Sequence, residues 1–261
     1  MINLEQIKAY FPAELREQKT LQKYILKEYL LLMILDFLSS TKYVKKLVFI
    51  GGTNLRLIKG INRFSEDLDF DCKDFSQLEF DAMSDDVRRF LEKQGLRINI
   101  KVSPPDKLQA FRTNIFFPEL LFDLNLTGHR EERFLIKLES QDQNIDYKPK
   151  MTLIKGCGFF FSFPTPEDDI LCAMKLSAML SRSKGRDFYD AMFLLSFTQP
   201  NYDFLGKRNG VHNLKEFKTA VSKLLKTVNL SQKQKDFEHL LFEKKNSGRI
   251  LLFDEFVQEL K

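Results

Sequence analysis

The stretch that most narrows the folds open to this chain is residues 47–71, LVFIGGTNLRLIKGINRFSEDLDFD. Leu47–Ile50 is a short apolar run and reads as a buried strand. Gly51, Gly52 and Thr53 follow at once. Next comes an amphipathic segment that Thr53 is placed to cap, with Leu55, Leu57, Ile58 and Ile61 on its apolar side. Asp67-Leu68-Asp69 then lies in an alternating run, which predicts a second strand. Residues two apart in a strand share a face, so the two carboxylates sit side by side while Leu68 and Phe70 point into the core.

Around this stretch the chain alternates between helical and extended patterns. From Pro12 to about Leu38 runs a long helical pattern, with Leu21, Ile25, Tyr29, Leu32, Ile34 and Leu35 mainly on one face and Lys23, Lys27, Glu28 and Asp36 elsewhere. That is the pattern of a packing helix. The basic cluster Lys42–Lys46 reads as a solvated turn. Residues 76–94 predict a second amphipathic helix ended by Gly95, and residues 97–103 alternate as a strand should. Two further strand candidates, AFRTNIFFPEL and LLFDLNLT, lie between 110 and 127 as a hairpin broken around Pro118, and FLIKLES (134–140) is another. From Pro166 onward helical patterns dominate, at 166–182, 186–198, 213–227 and 231–243, with little strand signal until Ile250–Phe253. A boundary near Phe163–Thr165 follows, with a mixed α/β domain over 1–165 and an all-α domain over 166–261.

At 261 residues, 43% of them hydrophobic and 30% charged, the chain can bury a real core. It has no Trp and 26 Phe, so aromatic packing falls to phenylalanine. Cys72, Cys157 and Cys172 are odd in number and far apart, which supports neither a zinc ribbon nor a disulfide framework and points to a reducing compartment. The N-terminal residues MINLEQIKAY lack the apolar core of a signal peptide. The apolar run Tyr29–Leu35 is far short of the ~20 residues that span a bilayer. These features predict a soluble, cytoplasmic protein with no membrane partner. The formal charge of +5 is divided almost evenly between the two parts, which permits nucleic-acid contact without demanding it.

Directly after a strand, Gly51-Gly52 lets the backbone turn tightly and approach a phosphate without a Cβ in the way, and the following helix offers N–H groups to an anion. Neither a P-loop nor a G-x-G-x-x-G is present. Asp67 and Asp69 repel each other, and a divalent cation supplies compensation while bridging to triphosphate oxygens. The competing reading is an edge strand with acids on its wet face, which Asp71 continues. Glu139, with Lys137 two residues before it on the same face of its strand, is the candidate third acid. In the helical part, Lys175 and Arg182 are seven apart and share a helix face, a clamp for polyphosphate, while Asp187 and Asp190 share a face of the next helix. Salt bridges between these two helices are the plainer alternative.

Taken together, FIGGTNLR, RFSEDLDF, KLSAMLSR and RDFYD resemble, in order over residues 47–195, the successive motifs of the AbiEii/AbiGii toxin family. These are nucleotidyltransferase-like toxins of bacterial toxin–antitoxin and abortive-infection systems, within the DNA polymerase β-type superfamily. The resemblance implies an α+β fold, a nucleotidyltransferase-like mixed sheet with helices followed by a C-terminal helical bundle. It implies that Gly51, Gly52 and Thr53 form the nucleotide-binding turn and that Asp67 and Asp69, with Glu139, hold Mg²⁺ or Mn²⁺. Lys175 and Arg182 would meet the phosphates of an NTP, and Asp187 and Asp190 would orient the lysine or assist catalysis. Ser65 matches a position where some relatives carry a functional serine, and a plain turn hydroxyl is the alternative there. The implied reaction moves a nucleotide from an NTP to an acceptor, with tRNA the expected acceptor and a cognate antitoxin, a DNA-binding repressor, the expected partner. Two other classes stay open on the residues alone. One is a small-molecule, antibiotic-type nucleotidyltransferase, and the other is a non-enzymatic binding module whose acids and lysines only form salt bridges.

Overall fold

Five strands, β1 (Leu47–Ile50), β2 (Leu68–Cys72), β3 (Asn99–Ser103), β4 (Phe111–Phe116) and β5 (Leu135–Gln141), form one sheet in the order β1-β2-β5-β4-β3. Only β2 and β5 run parallel, and the other neighbours are antiparallel, so the sheet is mixed. This computed structural model describes residues 2–103 and 110–261. The chain divides into two units. The first is made of Met1–Gly60, Phe64–Asn144 and Pro149–Thr165, and the second of Ile61–Arg63, Ile145–Lys148 and Pro166–Lys261.

The first unit holds the sheet, the helices α1 (Leu4–Lys8), α2 (Ala13–Arg16), α3 (Gln22–Ser39), α4 (Gly51–Leu57), α5 (Gln77–Lys93) and α6 (Leu120–Asp123), and the hairpin of β6 (Lys150–Gly156) and β7 (Phe159–Thr165). The expected strands at the opening stretch, at 97–103 and at 134–140 are β1, β2, β3 and β5. Helix α5 starts where Ser76 and Glu79 close a capping box and stops before Gly95, as its sequence signals require. The β6–β7 hairpin turns one face inward, where Phe163 meets Phe49 and Phe70 with ring centroids 6.2 and 5.7 Å away. Phenylalanine thus fills the space behind β1 and β2.

Two elements differ from expectation. The segment LLFDLNLT contains the helical turn α6 rather than a strand. Pro118 lacks an N–H for a ladder, Glu119 takes a left-handed φ of 59°, and the Asp123 N–H then closes onto the Glu119 carbonyl at 2.9 Å. Helix α3 is not amphipathic but enclosed, packing on α1, α5 and β7. Its Lys27 and Glu28, expected on a wet side, are 9% and 5% exposed. Lys27 Nζ meets Glu66 at 3.2 Å, and Arg56 donates to Glu28 through Nε at 2.7 Å and a second guanidinium nitrogen at 3.0 Å. These pairs make it possible to bury a charged helix. The expected basic turn at Lys42–Lys46 is a 3-10 turn, whose Lys46 bonds Glu79 at 2.7 Å.

The second unit is helical, with α7 (Asp168–Arg182), α8 (Gly185–Leu195), α9 (Tyr202–Asn209), α10 (Leu214–Leu225), α11 (Leu230–Lys235) and α12 (Phe253–Gln258). The pattern at 231–243 resolves into α11 and a 3-10 turn at Glu238–Leu240, and α9 was not anticipated. The strand signal at Ile250–Phe253 falls instead on the end of a 3-10 segment, Lys244–Leu252, and the start of α12. Ile250 and Phe253, three apart, are the buried pair, which is helical spacing, and Phe253 meets Phe188 of α8 edge-on at 5.1 Å.

Burial raises the Glu28 carboxyl above the ordinary range even against the opposing charge of Arg56. Replacing Arg56 by Ala leaves Glu28 buried without that guanidinium and is expected to cost about 3 kcal/mol at pH 8. Its raised carboxyl then binds a proton in the folded state that the unfolded state has already lost, so folded stability falls as pH rises. Urea unfolding of Arg56→Ala at pH 5 and pH 8 should therefore show a smaller deficit at the lower pH, and an equal deficit would contradict the assignment.

Candidate active site

Gly51 begins α4 directly after β1 with φ +84°, a backbone conformation that glycine adopts without penalty. A Cβ placed on it would lie 2.1 Å from Asp69 Oδ2, so the Asp69 carboxylate occupies the space that the missing side chain leaves. Gly52 sits in the first turn of α4. Thr53 does not cap the helix. Its hydroxyl donates to the Asp67 carbonyl at 2.5 Å and ties α4 to the chain entering β2. Asn54 anchors the same turn from the other side, donating its amide to the Phe49 carbonyl at 2.7 Å. The glycine turn and the acidic strand are thus one construction.

Asp67 immediately precedes β2 and Asp69 is its second residue, both half-buried, while Leu68 and Phe70 between and beyond them are in the core. The Asp67 carboxylate accepts the Lys137 backbone N–H at 3.2 Å. Burial and then the charge of Asp69 push the Asp67 carboxyl up, and Lys137 offsets only part of this. Asp71 does not continue a wet face. It is 1% exposed and accepts the Gln143 backbone N–H at 2.9 Å, which bonds β2 to the chain leaving β5. The acids of this strand therefore divide into a half-buried pair under strain and a buried structural one.

Glu139 stands opposite Asp69 in the parallel register of β2 and β5, and Ile136 and Leu138 face inward as expected. Its carboxylate meets Arg112 of β4 at 3.1 Å. Among the described residues no group of three or more His, Cys, Asp or Glu is placed to hold a metal ion, so the triad Asp67–Asp69–Glu139 is not assembled. Two carboxylates suffice for Mg²⁺, which takes few protein ligands and completes its shell with water and phosphate oxygens. The hard oxygen donors of Asp67 and Asp69, close enough for the charge of one to raise the other, fit such an ion. Ser65 is buried in the chain that enters this strand.

In the helical unit, Asp190 of α8 is fully buried and accepts three charged bonds. Lys175 Nζ of α7 donates at 2.9 Å, and Arg63 donates from Nε and from a terminal nitrogen, each at 2.7 Å. Burial alone would raise the Asp190 carboxyl, but Arg63 and Lys175 outweigh it and hold it at about 2. Asp187, also fully buried, takes a different partner. Arg182 donates to it at 3.0 and 2.8 Å, and the Lys184 N–H at 3.1 Å, which fixes the start of α8. The interhelical salt bridges weighed against a phosphate clamp are thus present, Lys175 with Asp190 and Arg182 with Asp187. Sequence reasoning missed Arg63, which is 1% exposed. Its signal was faint, a basic residue beside Phe64 in a turn, with its partner 127 positions away. Removing one member of such a buried pair costs about 3–5 kcal/mol, so Arg63 is needed if Asp190 is to stay charged beside the lysine.

A family model for "Nucleotidyl transferase AbiEii toxin, Type IV TA system" matches residues 34–243, most of the chain. The chain belongs to the AbiEii nucleotidyltransferase toxin family. It is accordingly a nucleotidyltransferase, and the family brings with it an NTP substrate and a partner antitoxin. Two solved structures share the fold. MenT4, the nucleotidyltransferase toxin Rv2826c from Mycobacterium tuberculosis H37Rv, aligns with a TM-score of 0.59 at 18% identity over 100% of this chain and 91% of its own. JHP933 from Helicobacter pylori aligns with a TM-score of 0.58 at 21% identity over 91% of each chain. No curated relative matches in sequence. Membership in the AbiEii family bears out the α+β fold and the enzyme class expected from the motifs between 47 and 195.

Gly51→Ala is expected to strain the left-handed turn and displace the Asp69 carboxylate, lowering stability by roughly 1–3 kcal/mol and activity with it. Thermal unfolding of the variant, beside nucleotidyl transfer, checks this. A variant as stable and active as the parent would show that Asp69 does not depend on the bare glycine.

Proposed function

We propose that this toxin transfers a nucleotidyl group from an NTP to RNA, with tRNA as the acceptor, using a divalent cation, Mg²⁺ or Mn²⁺, held by Asp67 and Asp69. The observation that carries the reading is the acid pair itself. Two carboxylates are kept together at the mouth of β2, one of them packed under Gly51, and burial raises Asp67 instead of relieving it. A fold that keeps such repulsion gains from a cation that removes it. Glu139 would join the set with a carboxylate that also meets Arg112.

In this reading the acceptor hydroxyl attacks the α-phosphorus, a new P–O bond forms, the bond to the β-phosphate breaks and pyrophosphate leaves. A bound cation would lower the pKa of the hydroxyl and offset charge on the phosphates. The N–H groups of Gly51–Thr53 would receive phosphate oxygens, since the Thr53 hydroxyl is already committed to Asp67. Lys175, held in one orientation by Asp190, would present its remaining N–H bonds to the triphosphate, and Arg182 would add charge near it. Ser65 would support the nucleotide from the chain entering β2. The cytoplasm, where NTP and tRNA are found, is the proposed place of action, and the proposed antitoxin is a DNA-binding repressor. Among the described residues no helix is long and apolar enough to cross a membrane.

Asp67→Ala and Lys175→Ala are each expected to lower transfer by at least about 100-fold and to abolish growth inhibition while keeping a folded circular dichroism spectrum, with Lys175→Ala less stable to urea because Asp190 is left with Arg63 alone. Mass spectrometry of RNA treated with the protein and each NTP in turn reads the product directly. Equal toxicity of either variant would overturn the site, and an unmodified RNA pool with every NTP would overturn the acceptor.

A further inference from the structure

One groove of the helical unit has no part in the site above. It has a volume of about 860 Å³ and runs along α10, bounded by Gln258 of α12. Lys215, Lys218, Lys223 and Lys226 line it, with Thr219 and Ser222 between them. These positions repeat at three and four residues, so they form one face of α10, while Phe217 and Val221 on the opposite side are buried. From Leu214 to Lys226 the chain carries four lysines against one glutamate, Glu216, whereas the net excess of the whole protein is +5.

Several basic groups elsewhere on the surface are engaged by carboxylates. Arg88 is held by Asp85 and Glu92, Arg97 by Glu119 and Asp123, and Lys46 by Glu79. Lys218 is also engaged, donating to the carbonyls of Gln258 and Leu260 at 2.8 and 3.0 Å and so closing the end of α12. Among the described residues no carboxylate pairs with Lys215, Lys223 or Lys226, all three exposed. On the facing helix, Asp254 bonds the Gln258 side-chain amide at 3.3 Å. Three unpaired ammonium groups are therefore held along one wall over roughly 16 Å of helix axis, at 1.5 Å per residue.

We propose that this face of α10 docks the phosphodiester backbone of a nucleic acid. The residue types choose among polyanions. Protein interfaces rest on aromatic and arginine anchors and are depleted in lysine, and the groove has neither an aromatic nor an arginine in its lining. A membrane-surface helix needs large apolar groups beside its lysines, and Leu214 is the only apolar side chain here. Lysines and hydroxyls in a row, without planar groups to read base edges, suit sequence-independent phosphate contact. The length matches several successive phosphates of one strand, which rise about 3.4 Å each in a duplex. The choice of RNA over DNA rests on the proposed function, whereas the docking surface itself does not.

The test measures binding without NTP, so it is separate from transfer. Fluorescence anisotropy would follow a tRNA transcript and a duplex DNA of similar length between 50 and 200 mM salt, with the parent, with Lys215→Gln/Lys223→Gln/Lys226→Gln, and with Asp67→Ala. Lys218 is left in place because it closes α12. The expected result is salt-dependent tRNA binding by the parent and by Asp67→Ala. The triple variant should bind at least about 10-fold more weakly at 50 mM salt, and its log–log salt slope should be shallower by about 2 to 3. An unchanged urea midpoint would show that its fold is kept. Binding of the triple variant equal to the parent, or no binding of either nucleic acid by the parent at 50 mM salt, would overturn the proposal. Tighter binding of the DNA would keep the surface but assign it to DNA. A loss of transfer in Asp67→Ala with docking intact would locate the two functions apart.

Discussion

Asp67 and Asp69 carry like charges two residues apart at the start of a buried strand, and several contacts of the first unit keep them there. Asp69 fits only because Gly51 has no Cβ to fill its place. Thr53 bonds the Asp67 carbonyl, and the Lys137 backbone bonds its carboxylate. Burial and then the charge of Asp69 raise the Asp67 carboxyl, and Lys137 works against both. A strand selected only for stability would do better with one acid or none, as Asp71 shows two residues later, buried and accepting the Gln143 backbone N–H. The strain is local, and in the proposed reaction a cation and a polyphosphate would relieve it.

The helical unit solves the opposite problem. Asp190 is buried completely, yet Arg63 and Lys175 hold it ionised at about 2. This gives stability that is present above the ordinary aspartate range and lost as pH falls towards 2. The network also freezes the Lys175 side chain, which on an exposed helix would sample many rotamers. A lysine already oriented by its partner loses less entropy on meeting an anion, so in the proposed function Asp190 would contribute without touching the substrate. Asp187 and Arg182 do the same for the turn between α7 and α8.

The residues that could be read in advance were those whose roles are local. The β1 strand, the glycine turn and β2 follow from apolar spacing and backbone freedom, and the Ser76–Glu79 capping box marks the start of α5 without help from the rest of the chain. What escaped depends on distant partners. Lys27 and Glu28 looked like a wet face because nothing local announces Glu66 and Arg56. Arg63 looked like a turn residue because Asp190 is 127 positions away. Thr53 had the look of a cap, but tertiary structure brought the Asp67 carbonyl within reach of its hydroxyl. LLFDLNLT has strand composition, and Pro118 with Glu119 turned it into a helical step. For the candidate site, the glycine turn and the strand that carries the acid pair are set by local spacing, while the ion pair of Glu139 with Arg112 is decided across two strands.

The acid pair is most directly tested by calorimetric titration of the protein with a non-hydrolysable NTP, with Mg²⁺ and again in excess chelator. Binding heat with Mg²⁺ that vanishes with chelator, and equally in Asp69→Asn, is the result expected if Asp67 and Asp69 hold a metal that carries the triphosphate. Equal heat under all three conditions, or none with any of the four nucleotides, would contradict that role for the pair.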